Sequence, residues 1–168
     1  MKTKASARTR TLAVAVAAGT LVAVPFATPA VAASSASCSK VTTAPVAAGK
    51  KGAVTFALCA PASLSAGGSA TFTSPPKGTN AGKFVFTLAW KNGKGKTLGL
   101  VSYGLAKGNG KCATGTTRIS ITGKVTGGSG AAAAIVKKNE SIAGMTCAVT
   151  KGANLGSSSL EPGTKFQL

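Results

Sequence analysis

The stretch KFVFTLAWKNGKGKTLGLV, residues 83–101, decides the fold class that this sequence predicts. Its first half carries large apolar residues at alternate positions: Phe84, Phe86, Leu88 and Trp90. A period of two is the pattern of a half-buried β-strand. The turn-forming residues 92–95, Asn-Gly-Lys-Gly, come next, and apolar residues then resume. Residues 83–101 therefore predict a β-hairpin.

The two strands of this hairpin can pair in either of two registers. A three-residue, bulged loop sets Leu88 opposite Leu98, whereas a two-residue Asn-Gly loop sets Leu88 opposite Thr97. Shifting the register by one residue moves every side chain of a strand to the other face of the sheet. We expect the first register, because it pairs apolar residues with apolar residues.

The same alternation predicts further short strands, at residues 54–58, 70–73, 118–126, 145–149 and 164–168. In the clearest of these, Ile119, Ile121 and Val125 face inward. Residues 131–138 are ambiguous, because their four alanines favour a helix while the preceding glycines and the β-branched pair Ile135-Val136 favour a strand. We expect a strand there, with a helix as the alternative.

About seven to nine short strands, separated by Gly-rich turns, predict an all-β protein. The strand lengths and the density of turns favour an antiparallel β-sandwich with a Greek-key, immunoglobulin-like arrangement. We expect residues 33–52 to form an N-terminal segment with the first strand, and residues 53–168 to form the sandwich domain.

Residues 1–32 have the pattern of a removable signal peptide. A basic start is followed by the apolar run 12–24 and by Ala30-Val31-Ala32, a small-x-small cleavage site. The apolar run has 13 residues, and a membrane-spanning helix needs about 20. Cleavage after Ala33 is an alternative. We therefore expect a secreted, extracellular bacterial protein without a transmembrane segment, and association with the cell surface is left open.

The mature part contains four cysteines: Cys38, Cys59, Cys112 and Cys147. An even number of cysteines in an exported chain predicts two disulfides, and four cysteines allow three connectivities. We favour Cys38–Cys59 with Cys112–Cys147, because each bridge then joins cysteines that are neighbours along the chain.

The scarcity of acidic residues argues against an enzyme. The chain has no histidine and two acidic residues, Glu140 and Glu161. Acid–base catalysis and catalytic triads draw on histidine and carboxylates, and zinc and calcium sites need clusters of such ligands. We expect a non-enzymatic protein with no cofactor and no bound metal.

Basic residues dominate the rest of the charge. Beyond residue 32 the chain has 16 Lys and Arg against two Glu, a net charge of +14. Attraction to anionic polymers or to the cell envelope follows from such a charge, and solubility is the plain alternative. The candidate polyanion-binding residues cluster at turns: Lys91, Lys94, Lys96, Lys107 and Lys111. Arg118 is the one arginine beyond residue 32, so dedicated nucleic-acid recognition is not expected.

Two aromatic residues, Trp90 and Tyr103, are candidates for stacking on a ligand, although core packing is the favoured interpretation of Trp90.

Three hypotheses for function follow. The first is a secreted binding or structural domain that contacts anionic polymer. The second is a carrier of a small ligand or an inhibitor of a secreted enzyme, and the third is a cationic antimicrobial or effector protein. The sequence leaves the oligomeric state open.

Overall fold

The structure, a computed structural model, describes residues 35–73, 81–108, 110–149 and 156–168. These residues form nine strands: β1 Ser37–Thr43, β2 Lys51–Ala60, β3 Gly68–Thr73, β4 Ala81–Trp90, β5 Gly95–Leu105, β6 Thr116–Ser129, β7 Ser141–Val149, β8 Ser158–Leu160 and β9 Phe166–Gln167. The strands are joined in places by short helical segments: a 3₁₀ turn at Ala62–Leu64 and helix α1 at Gly130–Ile135.

The sheet closes on itself. Each strand from β1 to β8 pairs antiparallel with the next, and β8 pairs back onto β1, so eight strands form a closed antiparallel β-barrel. Strand β9 fills the same gap as β8, because it also pairs with both β7 and β1. The predicted immunoglobulin-like sandwich is therefore wrong, although the all-β class is right. Alternation looks the same in both architectures, and closure depends on pairing between β1 and β8, which are far apart in the sequence.

The register of the β4–β5 hairpin also differs from the expected one. Leu88 pairs with Thr97 and Phe86 with Gly99, around a four-residue turn. The barrel interior is narrow, so large residues need small partners: a Cβ on Gly99 would lie 2.2 Å from the Phe86 ring. Thr97 is inside because its Oγ1 accepts a hydrogen bond from Trp90 Nε1 at 2.9 Å. The expectation that large apolar residues pair with each other, which favoured the other register, does not hold inside a narrow closed barrel.

One end of the barrel is closed and packed. Helix α1 packs against β5 and β6, and the backbone N–H of Ala132 donates to the carbonyl of Lys94 at 2.8 Å. Val136, just after α1, and Leu64, in the 3₁₀ turn, are each 1% exposed. The strand expected over residues 131–138 is thus wrong. The alanines form one short helix that caps the end of the barrel.

Two disulfides tie the barrel together, and their connectivity is the one that we favoured. Cys38 and Cys59 are directly opposed on β1 and β2. Cys112 joins the connection between β5 and β6 to Cys147 on β7. Bridges of this kind are compatible with an extracellular protein.

The inward face predicted for residues 118–126 is confirmed, and the last strand also faces inward. On β6, Val125 is 1% exposed, while Ile119 and Ile121 line the interior. On the last strand and the residue after it, Phe166 is 4% exposed and Leu168 is fully buried.

Candidate functional site

The end of the barrel opposite α1 holds a cavity of about 510 Å³, which we call the mouth cavity. It is bounded by residues at the ends of strands, including Thr43, Thr73 and Leu105. Ligand-binding pockets typically have volumes of about 300–1,000 Å³. The mouth cavity therefore has the size of a small-molecule site.

The wall of the mouth cavity is mainly apolar, because the inward faces of almost all strands meet there. Its apolar side chains are Val41, Val54, Phe56, Phe72, Phe84, Phe86, Val101, Leu105, Ile119, Ile121, Ala148 and Phe166. An eight-stranded barrel is just wide enough either to be filled by side chains or to hold one small ligand. This barrel does both, since its closed half is filled and its open half is not.

An aromatic floor separates the two halves. Phe56 and Phe166 meet edge to face, with ring centroids 5.2 Å apart, a favourable aromatic geometry. Phe86 completes the floor and is 4% exposed. The absence of a side chain at Gly99 lets the Phe86 ring lie against β5. The depth of the mouth cavity is therefore set by these rings.

A row of three aromatic rings forms one side of the mouth cavity, across β3, β4 and β5. The centroids of Phe72 and Phe84 are 6.5 Å apart, and those of Phe84 and Tyr103 are 6.0 Å apart. The Tyr103 ring covers Gly82, where a Cβ would lie 2.6 Å from the phenolic oxygen. Tyr103, the candidate stacking residue, thus lies on the wall of the mouth cavity.

The polar atoms of the wall are hydroxyls. Thr43 Oγ1 and Ser158 Oγ are 3.0 Å apart and hydrogen-bonded, and the backbone N–H of Ser158 donates to Thr43 Oγ1 at 2.7 Å. Thr146 is 4% exposed, and its hydroxyl bonds to no other side chain or backbone group in the described ranges. Burial raises the pKa of Tyr103, so its phenol stays protonated and can donate a hydrogen bond at neutral pH.

A smaller groove of about 250 Å³ adjoins the mouth cavity. The two share Phe72, Thr73 and Phe84 as lining residues, and the groove adds Lys51, the first residue of β2. Lys51 pairs with Thr73 in the sheet and is exposed. The groove also contains Thr71 and Val85, and Val85 is 67% exposed, so the groove opens on the outer side of the barrel rim. A cationic residue therefore lies at the rim, next to the apolar cavity.

The five lysines predicted to bind polyanion do not form one surface. Lys91, Lys94 and Lys96 lie at the β4–β5 turn, at the closed end of the barrel. Lys107 and Lys111 follow β5, whose 11 residues span about 35 Å at roughly 3.3 Å per residue. The structure thus divides the predicted set between the two ends of β5.

Hydrogen bonds to the Glu161 carboxylate fix the connection between β5 and β6. This carboxylate accepts hydrogen bonds from the backbone N–H of Lys111 at 2.7 Å and from Arg118 Nε at 2.9 Å. The Lys111 hydrogen bond is the main cause of a lowered pKa at Glu161; burial opposes it and Arg118 supports it. Gly110 fits because it lacks a side chain: a Cβ there would lie 2.0 Å from Glu161 Oε1.

Trp90 is not available for stacking on a ligand. It is 5% exposed and lies in the packed, closed half of the barrel, as its core interpretation predicted.

Within the ranges given above, no group of three or more His, Cys, Asp or Glu is placed to hold a metal ion. No helix in the described part of the chain is long and apolar enough to cross a membrane.

Comparison with known proteins found no match: no protein-family model, curated protein or solved structure resembles this chain. The mouth cavity itself is therefore the main guide to function. Sequence reasoning singled out one of its residues, Tyr103. The signal for the others was the recurrence of inward-facing aromatic and β-branched residues near the ends of several strands.

Proposed function

We propose that this protein is a non-enzymatic, secreted carrier that binds a small apolar molecule in the mouth cavity. The observation that supports the proposal best is the cavity of about 510 Å³ with an apolar wall. Apolar surface exposed to water inside a protein is unfavourable, by roughly 25 cal/mol per Å². A ligand that covers this wall gains that free energy on binding.

The chemistry of the wall favours binding over catalysis. Its polar side chains are hydroxyls of threonine, serine and tyrosine, and none of its described side chains is a carboxylate, an amine or an imidazole. Hydroxyls orient a ligand through hydrogen bonds, whereas acid–base work needs groups that titrate near neutral pH. The proposal therefore assigns the protein to uptake, storage or delivery of its ligand.

Filling the mouth cavity tests this proposal. A neutral naphthylamine dye that fluoresces in apolar surroundings reports binding. Ala148→Trp places an indole inside the cavity, and Ala89→Trp places the same side chain on the exposed face of β4 near the closed end as the matched control. We expect Ala148→Trp to weaken dye binding by at least about tenfold, because it removes contacts worth more than about 1.4 kcal/mol.

The control variant should bind the dye as the parent does. Circular dichroism and thermal unfolding confirm that both variants are folded. Equal dye affinity in a folded Ala148→Trp variant, or no dye binding by the parent protein, would contradict the proposal.

Binding of anionic polymer is a second proposal, and it rests on unbalanced charge. Among the described residues Arg118 and Glu161 form the one side-chain ion pair, so the lysines of the β4–β5 turn have no acidic partner. Changing Lys91, Lys94 and Lys96 together to Gln should lower the salt concentration at which the protein leaves heparin or isolated cell wall, because fewer counterions are released on binding. Unchanged elution would contradict this second proposal.

A further inference from the structure

We infer that the ligand of the mouth cavity is a single-chain anionic amphiphile, a fatty carboxylate, whose chain enters the cavity and whose headgroup is bound by Lys51. The inference rests on the proposed apolar-ligand function and names the ligand class. It joins three observations: the width of the barrel, the position of Lys51 and the absence of carboxylates from the cavity wall.

The interior of the barrel suits one chain. An eight-stranded barrel has room for one slender ligand at most once its own side chains are in place. Along β5 the wall runs from Val101 to Leu105, about 13 Å of strand, or roughly 10 Å of depth after the usual strand tilt. The ring row Phe72–Phe84–Tyr103 lies along one side. A flexible hydrocarbon chain follows such a wall better than a rigid fused-ring ligand.

Lys51 is placed to meet the polar end of that chain. The groove that contains Lys51 shares Phe72, Thr73 and Phe84 with the mouth cavity, so a ligand that extends past these residues leaves the cavity next to Lys51, at the rim of the barrel. The hydroxyl of Thr73, the sheet partner of Lys51, adds a hydrogen-bond donor at the same place. A compact ammonium group and a hydroxyl match a carboxylate of single charge.

The charge of the surroundings selects against other headgroups. Glu161 is paired with Arg118, and Glu140 accepts hydrogen bonds from Ser35, so the carboxylates of both glutamates are bonded elsewhere. A cationic headgroup therefore finds no carboxylate on the described wall. A neutral headgroup can accept a hydrogen bond from Lys51, whereas an anionic one is in addition attracted by its charge.

The experiment compares three ligands of equal chain length: a saturated fatty acid, the fatty alcohol and the alkyltrimethylammonium ion. Each displaces the neutral dye from the parent protein at low and at high salt. We expect the acid to bind about two- to fivefold more tightly than the alcohol at low salt, as for an exposed ion pair. We expect the difference to shrink at high salt and the cation to bind most weakly.

Variants at one position locate the headgroup. Lys51→Gln should bind the acid and the alcohol equally, and Lys51→Arg should restore the preference. Lys124→Gln, which removes an exposed lysine from the outer face of β6, should leave the preference unchanged. A preference that survives in Lys51→Gln, or equal binding of acid and alcohol to the parent, would overturn the inference while leaving the apolar carrier intact. Failure of both ligands and of the dye to bind would overturn the carrier proposal itself.

Discussion

The hydrogen bond between Trp90 and Thr97 allows a quantitative test of how the closed half of the barrel is held together. Trp90 Nε1 donates to Thr97 Oγ1 at 2.9 Å, and the two residues are 5% and 1% exposed. Thr97→Val keeps the shape of the side chain and removes the acceptor. The indole N–H is then left without this partner in a buried position.

The expected cost follows from the burial of the donor. Leaving a buried polar group unsatisfied costs about 1–3 kcal/mol, so we expect Thr97→Val to lower the free energy of unfolding by about 2 kcal/mol. For a domain of this size each kcal/mol shifts the Tm by roughly 3–5 °C, and the Tm should fall by about 6–10 °C. Dye binding should not change, since the pair lies on the far side of the aromatic floor.

Trp90 is the single tryptophan of the chain, so its fluorescence reports unfolding in denaturant for Thr97→Val and for the parent. Trp90→Phe and the double variant, followed by circular dichroism, complete a double-mutant cycle. The double variant contains no orphaned donor, so its loss of stability should be smaller than the sum of the two single losses. A loss below about 0.5 kcal/mol in Thr97→Val, or strictly additive losses, would refute the reasoning.

Two further predictions concern Glu161 and Thr146. In the folded protein the pKa of Glu161 lies below its ordinary value of 4.5, chiefly because the Lys111 backbone N–H donates to it. As the pH falls, the unfolded chain therefore takes up the proton first, so the free energy of unfolding should be steady above about pH 5 and should fall as the pH drops below 4.5. Denaturant titrations at several pH values should show a clearly flatter pH profile for Glu161→Gln than for the parent. An unchanged profile would contradict this role of Glu161. Thr146→Val removes a hydroxyl from the cavity wall that has no partner in the described ranges. A hydrocarbon ligand should therefore bind this variant about fivefold more tightly, a gain of about 1 kcal/mol. Weaker binding, measured by dye displacement, would show that the ligand itself hydrogen-bonds Thr146.

Local pattern predicted the strands well and their assembly poorly. Alternation over residues 118–126 placed Ile119, Ile121 and Val125 inside, because side-chain direction in a strand depends on the strand alone. Closure depends on β1 pairing with β8, across more than a hundred residues, and no periodicity in either segment reports that partner. The sandwich and the barrel were therefore indistinguishable from local pattern.

The β4–β5 register failed for a related reason. Matching Leu88 with Leu98 assumes that apolar residues should meet across a hairpin, which suits an open sheet with two buried faces. In a narrow barrel the residue paired with Phe86 on the inner face must lack a side chain, and this residue is Gly99. The sequence does contain small residues that can pair with large ones, but only in a strongly curved sheet does such pairing decide the register.

The mouth cavity was harder to predict than the fold. Phe72, Phe84 and Ile119 look like core residues in the sequence, since an apolar residue that faces a filled interior and one that faces a cavity have the same local pattern. The difference arises from the number of strands and from where the floor residues Phe56 and Phe166 meet. Both are consequences of long-range pairing.

The closing pair β1 and β8 has a consequence for the order in which this chain acquires structure. Strand β1 hydrogen-bonds to β8 and β9 as well as to β2, so the barrel cannot close until residues 158–168 are available. Contacts between such distant segments give the chain a high contact order, and proteins dominated by non-local strand pairing fold slowly, in milliseconds to seconds. A chain that lacks residues 158–168 should remain an open sheet with two unpaired edges, which are sites for aggregation. Residues 158–168 are therefore needed for closure, and intact barrels accumulate after this segment has been synthesised.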